Sequence, residues 1–324
     1  MKTIFITGGC GFIGSNFLLH WAQNYPDWRL VNLDIMSYAA NIDNVAELEH
    51  HPNYIFLKDD INHVTMNKKV LCYFEPDYIV HFAAESHVDR SIESSGPFVK
   101  HNVMGTVNFL DSVRFYMRKV SKEFRFLHVS TDEVFGSLRE HDEPFNELSQ
   151  YAPNSPYSAS KAASDHFVRS YYQTHNVPAM ISNCSNNYGP RQNKEKFIPT
   201  VIRHALADKP IPVYGNGMNI RDWLWVDDHC TALETLLLHG NLGEQYCIGG
   251  DNEVNNIDLA TRILEIMGKS KSLISYVTDR AGHDFRYAID SSKLQSLGWQ
   301  ANMSFTQGLE RTVDWYLQRP ERFQ

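Results

Sequence analysis

Tyr157 and Lys161 stand four residues apart in the run Tyr157-Ser158-Ala159-Ser160-Lys161. That spacing puts both side chains on one face of a helix. A phenol titrates near 10 in water and is a weak base at neutral pH. A neighbouring ammonium favours the phenolate, so the pair can take a proton from an alcohol. The same spacing also occurs on ordinary amphipathic helices and needs support from elsewhere in the chain. Asp132 and Glu133 supply some, because they follow Ser130-Thr131 at the end of a β-rich run. Neighbouring side chains on a strand point opposite ways, but a turn at the strand's end brings both carboxyls to one side. Two close carboxyls push their titrations apart, which leaves one as an acid and the other as a base. An elimination needs that combination. Read alone, Asp132-Glu133 is equally a helix-capping or solvated acidic pair.

The second chemical signal is Thr7-Gly8-Gly9-Cys10-Gly11-Phe12-Ile13-Gly14. Gly8, Gly11 and Gly14 permit a tight turn, close approach of the backbone to a pyrophosphate, and close helix–strand packing. The helix that opens at Phe12 and Ile13 offers free N–H groups and a positive dipole end to phosphate. Asp34 ends the second β-rich run about 20 residues further on, where a carboxylate bonds ribose hydroxyls and repels a 2′-phosphate. The expected cofactor is therefore NAD and not NADP. Asp60 and Ile61, after the third run, are expected near the adenine, although Asp60 reads equally well as a solvated loop residue.

These groups need a scaffold. β-rich runs at 2–7, 29–34, 54–58, 78–82 and 125–130 alternate with helical stretches at 12–23, 66–74 and 99–117. A further helix at 157–174 and a sixth strand at 178–183 follow. Strand, helix and strand repeated in this way predict an α/β fold with a Rossmann-like, doubly wound parallel sheet. After residue 183 the chain becomes rich in Asn, Pro and Gly, with helical segments at 257–267 and 305–317. The expectation is a smaller C-terminal substrate-binding lobe and a chain that crosses between the lobes. The nucleotide-binding part is placed at about 1–185 and 217–245, and the lobe at about 186–216 and 246–324.

Composition sets outer bounds. The 324 residues carry 30 Lys and Arg against 38 Asp and Glu, a net charge of −8, which argues against a broad nucleic-acid-binding face. No apolar run is long enough for a membrane helix, and the first residues lack the order of a signal peptide. The five cysteines, Cys10, Cys72, Cys184, Cys230 and Cys247, form no C-x-x-C pair and are expected to be free thiols in a reducing cytoplasm. The 15 histidines include no metal-binding spacing, so no metal is expected.

Taken together, the Gly loop, Ser130-Thr131 and the Tyr157/Lys161 pair resemble the extended short-chain dehydrogenase/reductase superfamily. Longer runs narrow the resemblance to its nucleoside-diphosphate-glucose 4,6-dehydratases. They are His81-Phe82-Ala83-Ala84-Glu85-Ser86-His87-Val88-Asp89-Arg90-Ser91, Val129-Ser130-Thr131-Asp132-Glu133-Val134-Phe135-Gly136, Asn183-Cys184-Ser185-Asn186-Asn187-Tyr188-Gly189-Pro190, Ile220-Arg221-Asp222-Trp223-Leu224 and the run from Arg280 to Asp290. Four positions depart from the family: Cys10 where Ala is usual, Phe135 for Tyr, Ala281 for Pro, and Phe285 for a residue often Arg. None of them removes a catalytic group.

The resemblance implies a tightly bound NAD that is regenerated in each turnover, with Ala83, Ala84 and Asn187 added to its contacts. It implies a nucleotide-sugar substrate, dTDP-glucose, held by Ser86, Thr131, Asn186, Lys196, Phe197, Pro212, Tyr214, Arg221, Asn256, Arg280 and His283. Singly, Arg221 also reads as a surface partner of Asp222, Arg280 as ion-paired with Asp279 or Asp284, and His283 as a packed loop residue. The implied reaction oxidises C4, eliminates water across C5 and C6, and returns the hydride to C6. Tyr157 removes the C4 hydroxyl proton, and Thr131 bonds that oxygen. Lys161 holds the cofactor and tunes Tyr157. Glu133 takes the C5 proton, and Asp132 protonates the departing C6 hydroxyl. His87 and Arg90 are expected to brace the active-site loop, and Trp223 and Trp225 to pack in the core. A homodimer joined through a four-helix bundle is also implied. Other readings are a UDP-glucose 4,6-dehydratase, a sugar-nucleotide epimerase or decarboxylase, and a non-catalytic NAD-sensing regulator.

Overall fold

The computed structural model describes residues 1–323. Its strands are β1 (Thr3–Thr7), β2 (Arg29–Asp34), β3 (Tyr54–Lys58), β4 (Tyr78–His81), β5 (Arg125–Thr131), β6 (Ala179–Cys184), β7 (Asn186–Tyr188), β8 (Ile211–Tyr214), β9 (Ile220–Trp225), β10 (Gln245–Ile248), β11 (Glu253–Asn255) and β12 (Ile274–Val277). Its α-helices are α1 (Phe12–Asn24), α2 (Val64–Phe74), α3 (Val88–Glu93), α4 (Gly96–Phe98), α5 (Gly105–Lys119), α6 (Pro156–His175), α7 (Phe197–Leu206), α8 (Val226–His239), α9 (Asn256–Ile266), α10 (Ser292–Gln295) and α11 (Phe305–Leu317).

Seven strands form one parallel sheet in the order β10-β6-β5-β4-β1-β2-β3. The order reverses between β1 and β4, and in such sheets the crevice at the carboxyl ends of the strands is where ligands bind. Alternation along each strand feeds two cores. Ile4, Ile6, Val80 and Leu127 pack against Phe17 and Trp21 of α1 and Leu233 and Leu236 of α8. Phe5, Val31, Ile79 and Phe126 pack against Leu71 of α2, Phe109 and Val113 of α5, and Val168 of α6. Each of these fully buried large side chains contributes about 1.5–3 kcal/mol, and together they make the strand ends a rigid platform. The doubly wound parallel sheet is as expected.

Beside the large sheet a second group of strands forms a three-stranded sheet, β11-β9-β7, and a two-stranded one, β12-β8. Trp223 and Trp225 sit in its core with Ile198, Leu259 and Leu309, in keeping with their expected packing role. Two elements fall differently from the expected division. Strand β10 crosses the expected boundary at residue 245, because it extends the large sheet beside β6. Strand β9, expected on the nucleotide-binding side, instead pairs with β7 and β11. The helix expected over 99–117 is also interrupted. Residues Val99–Met104 are π-helical, and α5 begins only at Gly105. Within the π turn, Asn102 bonds both the N–H and the carbonyl of Glu85, at 2.7 and 2.9 Å. Such turns often mark functional segments, and this one fixes the loop that follows β4.

All five cysteines are free. Among the described residues no His, Cys, Asp and Glu cluster could hold a metal, and no helix is long and apolar enough to cross a membrane.

Candidate active site

Two clefts share Glu133, Asn186, Asn187, Gln192 and Lys196 in their walls. The first opens at the carboxyl ends of β1, β2, β4, β5 and β6. Every residue expected to hold the cofactor lines it: Gly8, Gly11, Phe12, Ile13, Gly14, Asp34, Asp60, Ile61, Ala83, Ala84, Tyr157, Lys161 and Asn187.

The glycines divide the work of the loop. Gly8 has a φ of +74°, and a Cβ there would come within 2.7 Å of the Ala83 nitrogen. A Cβ on Gly14 would lie 2.4 Å from the Gly8 carbonyl oxygen. At Gly11 the single near neighbour is the Gly8 oxygen, at 3.3 Å, so that position stays open to the cleft. Helix α1 starts at Gly11 without a side-chain cap and without an acidic residue in its first turn. Its first N–H groups are thus left for an anion. Asp34 accepts the Cys10 and Met36 N–H groups at 2.9 and 2.8 Å, one on each oxygen. Burial raises its titration, and each oxygen keeps a second lone pair for a hydroxyl donor. This loop, uncapped helix end and buried carboxylate fit NAD. Asp60 turns one oxygen onto the backbone and side-chain nitrogens of Asn62, at 2.8 and 3.1 Å, and so serves its own loop while lining the cleft.

After β5 the chain makes a 3₁₀ turn over Asp132–Phe135, capped by Thr131, whose Oγ1 accepts the Glu133 N–H at 3.3 Å. The turn does what an extended strand could not. Thr131 Oγ1 lies 3.4 Å from both Asp132 Oδ1 and Glu133 Oε1. Asp132 is 1% exposed, and its Oδ2 is buried with no protein partner. Burial, then the charges of Glu133 and Asp222, hold the Asp132 carboxyl well above the usual range, which favours its protonated form. Glu133 is also raised by burial, but Lys196 and Arg221 pull it back. Both carboxyls are thus raised, Asp132 more strongly than Glu133, which is the direction of separation that an acid and a base need.

Tyr157 and Lys161 occupy successive turns of α6, which opens with a capping box at Ser155 and Ser158. The Lys161 ammonium donates to the Val129 carbonyl at 2.8 Å. Burial, then Glu133, Cys184 and Asp132, push the Tyr157 phenol well above its ordinary value. The expected lowering by Lys161 does not prevail among the protein's own groups, because burial, with Glu133, Cys184, Asp132 and Asp165 around the phenol, acts the other way. A positively charged nicotinamide ring beside the phenol is the contribution that would offset them.

The second cleft is lined by nine of the residues expected to hold the substrate, Asn186, Lys196, Phe197, Pro212, Tyr214, Arg221, Asn256, Arg280 and His283, while Ser86 and Thr131 line the first. Phe197 and Asn256 begin α7 and α9, and Pro212 and Tyr214 lie on β8. Lys196 Nζ bonds the Ser86 carbonyl at 2.6 Å. Asn186 Oδ1 is buried without a partner. Arg221 stacks on Tyr287, 4.3 Å from the ring centre, and its Nη2 donates to the Asp284 carbonyl at 3.0 Å. The alternative surface pair with Asp222 does not form: Asp222 instead accepts the Gly250 and Asn252 N–H groups at 2.9 and 2.8 Å, and both side chains are buried. Arg280 is ion-paired, but its partner is Asp89, at 2.6 Å, and not the neighbouring acids. His283 pairs with Asp279 at 2.7 Å, with its ring edge-on to Tyr214. His87 and Arg90 meet Glu195 at 3.6 and 2.6 Å, a brace of the kind expected.

Several participants carry no motif. His229 Nδ1 lies 2.9 Å from Asn187 Oδ1 and orients that amide. Tyr287 supports Arg221, and Asp89 holds Arg280. Asp165, whose Oδ2 accepts from Ser130 Oγ at 2.9 Å, carries no motif either, although four residues after Lys161 is the same helix face.

The GDP-mannose 4,6 dehydratase family matches residues 5–312. A dTDP-glucose 4,6-dehydratase from Xanthomonas campestris pv. campestris is 50% identical, with 98% of this chain and 93% of that protein covered. Among solved structures, the Streptomyces venezuelae dTDP-glucose 4,6-dehydratase with NAD bound has a TM-score of 0.93 at 40% identity, covering 99% of this chain and 98% of that one. The Bacillus anthracis dTDP-glucose 4,6-dehydratase in complex with NAD has a TM-score of 0.91 at 42% identity, with the same coverage.

Proposed function

The chain belongs to the dTDP-glucose 4,6-dehydratase family, and on that premise we propose how its residues share the reaction. The enzyme is an NAD-dependent hydro-lyase that converts dTDP-glucose to dTDP-4-keto-6-deoxyglucose, a step of deoxysugar biosynthesis. NAD, when bound, accepts the C4 hydride and gives it back at C6.

The protein's groups handle the protons. Tyr157 takes the C4 hydroxyl proton, and Thr131 bonds the same oxygen. The C4 ketone acidifies C5, so Glu133 can remove the C5 proton while Asp132 gives its own to the departing C6 hydroxyl. Water leaves, Glu133 returns its proton to C5 as the hydride reaches C6, and the proton that Tyr157 took from C4 is released to solvent while Asp132 takes one up, so all three groups regain their starting states. Arg221, Arg280 and Lys196 carry the positive charge for the diphosphate, and Tyr214 and Phe197 supply aromatic surface near the base. The observation that carries this reading is the buried, unpartnered Asp132 oxygen beside Glu133 at the rim of Thr131. Incubation with dTDP-glucose and, separately, UDP-glucose tests it. The alkali-sensitive 4-keto product is expected with a higher kcat/KM for the thymidine nucleotide; a higher value for UDP-glucose would contradict it.

We further propose a nucleotide-binding lobe built on the seven-stranded sheet, a cytoplasmic location and a homodimer. Exposed Phe115 of α5 and Phe167 of α6, 36% and 40% accessible, support a four-helix contact between two copies. Light scattering on the purified protein should return twice the 37.3 kDa chain mass, and a monomeric mass would refute the dimer.

A further inference from the structure

Asp165 lies on α6 one turn beyond Lys161 and is 1% exposed. A carboxylate so deep is unfavourable unless it is fully engaged. Its Oδ2 accepts hydrogen bonds from Ser130 Oγ and Tyr151 OH, each at 2.9 Å, and from Asn183 Nδ2 at 3.1 Å. Its Oδ1 lies 3.2 Å from His128 Nε2 without hydrogen-bond geometry, so the engagement rests on Oδ2. Those partners come from β5, the loop before α6, and β6.

The bonds converge on the catalytic end of β5. Lys161 grips the Val129 carbonyl at 2.8 Å, Asp165 grips the Ser130 hydroxyl, and Asn183 bonds both Asp165 and the Thr131 carbonyl, the latter at 3.0 Å. Three successive residues before Asp132 are thereby tied to the helix that carries Tyr157. The charges agree with the geometry. Burial lowers the titration of Lys161, and Asp165 is the one carboxylate that opposes this. Burial works to raise Asp165, but His128, Lys161 and Ser130 hold it below the usual carboxylate range, and burial pushes His128 itself down to about 4.

We propose that Asp165 is a positioning residue of the reaction, which clamps the end of β5 to α6 and serves as the counter-charge of Lys161. It acts through Lys161 on Tyr157, and so rests on the roles given to those two residues above. The other titratable groups around the cluster are His81 on β4, His128 on β5, Asp132 and Glu133 after it, Tyr151, Cys184 on β6 and Tyr157. Of these, the carboxylates repel a Tyr157 phenolate, as Asp165 itself does directly.

That opposition gives the test its sign. Single-turnover reduction of NAD by dTDP-glucose is followed against pH in the NAD-loaded protein, with thermal melting as the folding control. Asp165→Asn keeps the shape and removes the charge. It should slow the first hydride transfer on the order of 10²-fold and move the acid limb of the profile to higher pH. Ser130→Ala combined with Tyr151→Phe takes two donors from Oδ2 and should move the limb the same way by less, which serves if Asp165→Asn does not fold. Lys161→Ala and Lys161→Ala/Asp165→Asn should be equally slow. An unmoved limb would reduce Asp165 to a packing role, and a limb moved to lower pH would leave only its repulsion of Tyr157; either overturns the proposal. Unimpaired hydride transfer in Lys161→Ala would instead overturn the premise about Lys161.

Discussion

Arg280 holds Asp89 through two hydrogen bonds, Nε to Oδ1 at 2.6 Å and Nη2 to Oδ2 at 3.0 Å, in the wall of the second cleft. The same guanidinium lies 5.1 Å from the centre of the Tyr214 ring. A diphosphate in this cleft must compete with Asp89 for that fork. Asp89→Asn should therefore lower KM for dTDP-glucose several-fold with little change in kcat. Arg280→Gln should raise KM by about tenfold or more, the loss of a charge-assisted bond of 1.5–3 kcal/mol. Steady-state kinetics of both variants check this; a higher KM in Asp89→Asn would show that the pair orders the cleft and does not compete with the ligand.

Glu133→Gln separates the first step from the second. The amide cannot take the C5 proton, yet Tyr157 and Thr131 are untouched. Exchange of the C5 hydrogen in deuterated water should fall by about 10²–10⁴-fold, the usual contribution of a positioned base, while single-turnover reduction of NAD falls far less. An equal loss of both would assign Glu133 to orientation of the sugar and not to C5.

Asp132 links catalysis to stability. Its folded-state titration is raised above the ordinary 3.8. A group of this sign stabilises the fold fully below its unfolded value and loses that contribution as pH rises. Asp132→Asn carries no such liability. The variant should melt a few degrees higher than the parent at neutral pH, and the gain should vanish below pH 3.8. It should also retain C4 oxidation and lose dehydration. Calorimetry at two pH values with product analysis checks both, and a lower melting temperature at neutral pH would contradict a protonated Asp132.

The glycine loop offers a paired substitution. A Cβ on Gly14 meets the Gly8 oxygen at 2.4 Å and Gly9 Cα at 2.9 Å, both backbone atoms. Gly14→Ala should cost fold stability as well as cofactor. A Cβ on Gly11 has one contact, at 3.3 Å, and otherwise occupies the phosphate approach. Gly11→Ala should melt close to the parent without added NAD, yet retain much less nicotinamide absorbance after gel filtration. Equal loss of melting temperature in both would contradict this division of roles.

What could be read from the chain was what lies on one element or across one turn. Gly8, Gly11 and Gly14 span a single strand–helix junction, Tyr157 and Lys161 a single helical turn, and Thr131 to Glu133 a single strand end. Their relative positions follow from local geometry. Asp89 and Arg280 are separated by 191 residues, and His229 and Asn187 by 42, so nothing in the spacing relates them. The same limit applies to β10, which lies beside β6 although their sequences are distant and is too short to announce its sheet. The electrostatic surroundings of Tyr157 were legible only in part for a related reason. The Lys161 ammonium was visible in the sequence, whereas the burial and converging carboxyls that oppose it arise only on folding.

In the proposed mechanism one enzyme-bound NAD would carry a hydride from C4 to C6 of the same sugar while Asp132 and Glu133 remove water between them. Conversion of dTDP-glucose deuterated at C4 tests it most directly, with the product read by mass spectrometry and NMR. The account predicts deuterium at C6, undiluted by solvent protons or by added unlabelled NAD. Label lost to solvent, or recovered in free reduced cofactor, would contradict it.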